Sequence, residues 1–102
     1  MTDLRCGGEI MYIILVYDIK TDDEGKKILP KVFKICKKYL IHIQNSVFEG
    51  ELSKPQLKAL KLSLSKIVRD DYDSVIIFKT RQEKWLEKDY IGIQEDPTDN
   101  FI

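Results

Sequence analysis

The chain has 102 residues, 43% of them hydrophobic and 33% charged, which fits one globular domain able to bury roughly 60–70% of its unfolded surface. No apolar run approaches the ~20 residues that span a bilayer, and residues 1–6 lack the apolar stretch of a signal peptide. Membrane insertion and secretion are therefore set aside, and a cytoplasmic protein is expected.

Formal net charge is zero, yet the charges are segregated. Residues 25–69 hold eleven Lys or Arg against Glu49 and Glu51 alone. The first 24 residues hold two basic and six acidic side chains, and residues 70–102 hold four and nine. A basic block between two acidic ones marks a face suited to a polyanion on a neutral protein.

Residues 1–10, with Gly7-Gly8, read as a flexible extension, and Met11 stands as an alternative start of the chain. Tyr12-Ile13-Ile14-Leu15-Val16-Tyr17 is a short β-branched and aromatic run without helical spacing, the pattern of a central strand buried on both faces. It ends abruptly in Asp18, placing a carboxylate where the core strand meets solvent.

Residues 24–40 place Ile28, Val32, Ile35, Cys36, Tyr39 and Leu40 at helical spacing. Lys27, Lys31, Lys34 and Lys38 line up as a stripe on the same helix, suited either to phosphate contacts or simply to solvation. Asp22, Asp23 and Glu24 suit the positive end of that helix, with additional metal ligation as the alternative use of the two aspartates. Pro30 means that the helix either starts near it or bends there. The two cysteines, Cys6 and Cys36, have no metal-ligand spacing, and Cys36 is expected in the core.

Residues 41–52 read as a short strand, a bend or bulge at Asn45-Ser46, and a second strand. Ser53-Lys54-Pro55-Gln56 has the chemistry of a capped helix start. Leu57, Leu60, Leu64, Ile67 and Val68 supply that helix with an apolar face, and Lys54, Lys58 and Lys61 give it a second basic row. A polar turn over residues 69–73 leads to Ser74-Val75-Ile76-Ile77-Phe78-Lys79, another buried-strand pattern. Charged residues 81–89, a short strand over 90–93 and a tail ending in Phe101-Ile102 complete the chain.

The order predicts an α+β, ferredoxin-like β-α-β-β-α-β domain over residues 11–102 with a short C-terminal strand. Both helices fall on one face of an antiparallel sheet. The apolar content of the strands then calls for a second sheet on the other face, most simply from an identical chain, as a face-to-face homodimer.

Tyr17-Asp18-Ile19, the segment Ile43-Gln44-Asn45-Ser46-Val47-Phe48-Glu49-Gly50-Glu51-Leu52, and Asp73-Ser74-Val75-Ile76-Ile77 resemble the small CRISPR-associated proteins of the Cas-two family. The likeness runs over residues 11–102. It implies a ferredoxin-like homodimer whose C-terminal strand crosses to the partner's sheet. It further implies a divalent-metal-dependent endonuclease acting on single-stranded RNA or double-stranded DNA. Asp18 would be both the catalytic residue and the metal ligand, paired with its symmetry mate around one Mg²⁺ or Mn²⁺, with Tyr17, Ser46 and Phe48 shaping the site. It also implies a role in spacer acquisition, in which the dimer bridges copies of the Cas-one integrase and holds DNA. Where many members have a basic residue before the Val/Ile-Gln pair, this chain has His42.

One carboxylate alone is a sparse Mg²⁺ site, since that ion takes one or two carboxylates plus waters and phosphates. Without a second copy, Asp18 merely ends a strand. His42, the only histidine, suits either proton transfer or a structural place beside a strand. Three functions compete: a metal-dependent endonuclease, a non-catalytic nucleic-acid-binding adaptor with a vestigial metal site, and a small-molecule sensor. The last has no cofactor motif behind it.

Overall fold

The computed structural model describes residues 10–81 together with Asp89 and Ile91. Six elements follow in order: β1 (Ile10–Asp18), α1 (Asp23–Tyr39), β2 (Ile41–Gln44), β3 (Val47–Ser53), α2 (Lys54–Ser65) and β4 (Ser74–Thr80). The sheet order is β2-β3-β1-β4, with every adjacent pair antiparallel. This is the expected ferredoxin-like α+β arrangement, with β1 in the interior of the sheet. β1 opens at Ile10, one residue inside the stretch assigned to the extension. Residues 1–9, the tail from Pro97 and, apart from Ile91, the expected strand over 90–93 lie outside the described residues.

Strand side chains alternate between faces, and β1 shows what this does. Ile13, Leu15 and Tyr17 are buried beneath the helices with Ile28, Val32 and Cys36 of α1 and Leu57, Leu60 and Leu64 of α2. Phe48 and Leu52 of β3 complete that core. Burying each such side chain stabilises the fold by roughly 1.5–3 kcal/mol. Cys36 has no exposure, and burial pushes its thiol up to about 12, so it is an inert core residue as expected.

On the opposite face Tyr12 is buried, whereas Ile14 and Val16 are only half-buried. Ile14 pairs with Phe78 and Val16 with Ile76, and those two β4 side chains are 55% and 52% exposed. Among the described residues β4 is therefore an edge strand with one exposed face, not the buried strand read from the sequence, and the helices cover β1 on one face only. An apolar run looks the same whether its second face is covered or awaits a cover, so periodicity could not separate the two.

Local chemistry explains the helix ends. Asp22 caps α1 by accepting from the Gly25 N–H at 2.8 Å. Gly25 is buried where a Cβ would run into the Lys20 carbonyl oxygen, so the turn from β1 into α1 requires glycine there. α1 begins before Pro30 and runs through it. Pro30 lacks the N–H that would reach the Lys26 carbonyl, but both residues are on the exposed side, where water can take the missing bond.

α2 opens with the expected capping box. The Gln56 N–H donates to Ser53 Oγ at 3.3 Å, and the Ser53 N–H donates to Gln56 Oε1 at 2.9 Å. The helix stops at Ser65, short of Ile67 and Val68, which still pack against the core. Between β2 and β3, Asn45 takes a φ of 42°, a left-handed conformation that Asn tolerates, beside a break in register at the end of β2.

Ser53→Ala is expected to remove the α2 cap and lower stability by about 1 kcal/mol in urea unfolding. An unchanged midpoint would show that the box contributes nothing.

Candidate active site at the tip of the central strand

Asp18 is the last residue of β1, exposed and opposite Ser74 in the ladder. Its place in the alternation puts it on the open face with Val16, Ile76 and Phe78. Tyr17, one residue earlier, turns the other way. It is buried, and its ring stacks on Phe48 with centroids 6.0 Å apart. The Tyr17 N–H donates to the Ser46 carbonyl at 3.2 Å. Burial raises the Tyr17 phenol above its ordinary value, with Cys36 adding a smaller push.

Tyr17, Ser46 and Phe48 are thus brought together, but on the helix side of β1. Any effect they have on Asp18 passes through the strand backbone. Tyr17 and Ser46 also line a cavity of about 570 Å³ with Lys26, Leu29, Pro30, Phe33 and Asn45.

His42 is half-buried, with Nε2 2.8 Å from the Asn45 carbonyl. Its ring centroid lies 4.9 Å from both Phe33 and Phe48. These neighbours give the imidazole a structural place, in which it holds the β2–β3 turn. Lys27, Lys31, Lys34 and Lys38 are all exposed on α1. The last three line a shallow cleft of about 280 Å³ with Ile35 and Ile67. The second row, Lys54, Lys58 and Lys61, borders a cleft of about 500 Å³ together with Lys79. Both rows belong to the helix layer, so within one protomer they are not brought to the face that bears Asp18.

Sequence reasoning missed what holds the strand tip. Arg69, just past α2, uses every nitrogen of its guanidinium. Nε donates to Asp73 Oδ2 at 3.0 Å, Nη1 to the Asp22 carboxylate at 3.0 and 3.1 Å, and Nη2 to Asp73 Oδ1 at 3.1 Å and to the Lys20 carbonyl at 3.3 Å. Asp73 also accepts from the Lys20 N–H at 3.0 Å and the Arg69 N–H at 2.9 Å, and its side chain has no exposure. Tyr72 lies beneath both cations, its ring centroid 4.8 Å from Lys20 Nζ and 5.2 Å from Arg69 Cζ. The sequence signal for this cluster was an i, i+4 Arg/Asp pair, too common to single out without its partner 47 residues away at Asp22.

Asp22 therefore serves as helix cap and Arg69 partner, and Asp23 lies exposed in the first turn of α1. Among the described residues no group of three or more His, Cys, Asp or Glu side chains is placed to hold a metal ion. Asp18 belongs to no such group.

The β-α-β-β-α-β order with a four-stranded antiparallel sheet defines a ferredoxin-like α+β domain, and comparison with known proteins gives the family. The sequence profile described as CRISPR associated protein Cas2 matches residues 11–88, and the chain belongs to that family. It is 57% identical over 98 residues to a CRISPR-associated endoribonuclease Cas2 of Fusobacterium nucleatum, covering 96% of this chain and 92% of that one. Among solved structures it is similar to a Cas2 crystal structure at a TM-score of 0.72 and 40% identity, covering 86% of this chain and 91% of the other. It is also similar to Streptococcus pyogenes Cas2 crystallised at pH 6.5, at a TM-score of 0.66 and 28% identity, covering 76% and 96%. No helix among the described residues is long and apolar enough to cross a membrane.

The Asp73 carboxyl is held down at about 2, chiefly by its hydrogen bond from Arg69, against an ordinary value of 3.8. A depressed carboxyl stabilises the fold fully above its unfolded value and loses that contribution as pH falls through the folded one. Stability is therefore expected to drop between about pH 4 and pH 2 in the native protein. Asp73→Asn should start lower and vary less across that window in pH-dependent thermal unfolding.

Proposed function

We propose that two copies of this chain pair through the open sheet face and act as a divalent-metal-dependent endonuclease on single-stranded RNA or double-stranded DNA. The observation that carries this reading is the exposed Asp18 at the rim of an apolar sheet face left bare by both helices. Pairing bare faces across a two-fold axis buries Ile14, Val16, Ile76 and Phe78 and doubles Asp18. The endoribonuclease name of the Fusobacterium relative supports cleavage of RNA.

Two Asp18 carboxylates, with waters and a substrate phosphate, suit a Mg²⁺ or Mn²⁺ ion, which one carboxylate fits poorly. Such an ion, when bound, neutralises charge on the phosphate and makes water a better nucleophile. Asp18 would hold it, while the Tyr17–Phe48 stack and the Tyr17–Ser46 hydrogen bond keep the strand tip from shifting. Lys27, Lys31, Lys34 and Lys38 would grip the phosphate backbone, an interaction that positions nucleic acid without reading its bases.

The separation of the lysine rows from Asp18 favours a second use of the same dimer. As an adaptor in spacer acquisition it would hold DNA on its helices and bridge copies of the Cas1 integrase, with no demand on Asp18.

Asp18→Asn is expected to abolish metal-dependent cleavage, a larger effect than the roughly 10–100-fold typical of a supporting residue. Loss of cleavage with spacer acquisition intact would assign the biological role to the adaptor, and cleavage unaffected by Asp18→Asn or by chelation would exclude the metal site. In sedimentation the protein should run at twice the 12.0 kDa chain mass, and Ile76→Lys should shift it to the monomer. DNA affinity should fall steeply with salt. Replacing the four α1 lysines by Ala should flatten the log–log slope by about 0.9 for each phosphate that is no longer neutralised.

A further inference from the structure

We infer that Arg69 and Asp73 are positioning residues for Asp18, fixing the backbone of the strand tip that presents it. The inference rests on the reading of Asp18 as the metal-holding carboxylate and names what keeps it in place.

Asp18 has its register partner, Ser74, on one side only, because the pairing of β1 with β3 stops at Val16 and Val47. Beyond Val16 the β3 side holds the strand through the Tyr17 N–H to the Ser46 carbonyl, and Asp18 itself has β4 alone beside it in the ladder. An end paired on one side frays, and a carboxylate on a fraying end points in many directions, which weakens any ligand it must hold.

Two residues past Asp18, both polar groups of the Lys20 backbone are tied down. Its N–H donates to Asp73 Oδ1 at 3.0 Å and its carbonyl accepts from Arg69 Nη2 at 3.3 Å. Asp73 directly precedes Ser74, the residue opposite Asp18, so one short segment holds the tip through the ladder and then again through a side chain. Arg69 carries the restraint onward to Asp22, the cap of α1, so the tip is referred to a rigid helix rather than to a loop. Ile19, between Asp18 and Lys20, is buried and seals the same turn from beneath.

The forked geometry matters. One guanidinium reaches Asp22, Asp73 and the Lys20 carbonyl together, whereas a lysine ammonium gathers its three donors on one nitrogen and cannot span all three partners. The Asp73 side chain has no exposure, so water does not compete for its bonds.

The test compares the full-length native protein, Arg69→Lys, Asp73→Asn and Asp18→Asn. Mn²⁺ binding is followed by loss of the free-ion paramagnetic resonance signal, and the Lys20 amide by hydrogen exchange. Arg69→Lys and Asp73→Asn are expected to speed Lys20 exchange and to weaken Mn²⁺ binding by about 10-fold or more, in the range set by loss of ligand-orienting partners. Asp18→Asn should lose Mn²⁺ binding while its Lys20 amide stays protected.

Normal Mn²⁺ affinity in Arg69→Lys and Asp73→Asn, with binding lost in Asp18→Asn, overturns the positioning role and leaves the nuclease reading standing. Normal affinity in Asp18→Asn overturns the nuclease reading and the positioning role with it. Should Asp73→Asn fail to fold, Arg69→Lys, which keeps the charge and the aliphatic stem, decides the question alone.

Discussion

Successive side chains of β1 must point to opposite faces of the sheet, and only one of those faces is covered by helices. Most of the site follows from that pair of constraints. Ile13, Leu15 and Tyr17 enter the core, while Tyr12, Ile14, Val16 and Asp18 are directed to the face away from the helices. A shift of one residue in register would bury Asp18 beneath the helices at prohibitive desolvation cost and expose Tyr17. The same alternation that builds the core thus delivers one carboxylate to the rim of an apolar surface. It also explains why Tyr17 and Asp18, adjacent in sequence, have unrelated surroundings.

The Arg69 cluster solves a second problem of the same architecture. In a ferredoxin-like fold the β1–α1 and α2–β4 connections meet at one end of the sheet, where backbone groups outnumber ladder partners. Asp22, Asp73 and Arg69 satisfy several of those groups at once, and Gly25 permits the chain to approach the Lys20 carbonyl closely enough for α1 to begin. Because the pairs are charge-assisted, each bond is stronger than a neutral one. The end of the domain that bears Asp18 is thereby given an internal framework of side-chain bonds to the backbone.

Charge is divided between the two layers. The lysines of α1 and α2 decorate the helix side, whereas Asp18 and the apolar strand residues occupy the other. In a face-to-face pair the positive helices become the outer surfaces and the acidic tips lie at the seam. In such a pair the outward lysines would attract phosphate backbones, and the like charge of the two acidic tips at the seam would call for a cation between them.

Much of this was readable from residues alone, because it rests on local chemistry. The Ser53/Gln56 capping box, the Asn45-Ser46 bend, the burial of Ile28, Val32 and Cys36 at helical spacing, and the place of Asp18 at a strand end are each decided within a few residues. Family-specific segments such as Gln44-Asn45-Ser46-Val47-Phe48 extended that reading to the family. What escaped was long-range. The linkage of Asp22 to Arg69 spans 47 positions, and the half-bare state of Ile76 and Phe78 depends on which strand lies beside β4. Pro30 was undecidable in isolation because its missing hydrogen bond is tolerable only on the exposed side of a helix anchored elsewhere. Sequence determined which residues become strands, caps and core faces, since those follow from periodicity and backbone chemistry. Only the tertiary structure decided what restrains the tip of β1, since that is set by neighbours distant along the chain.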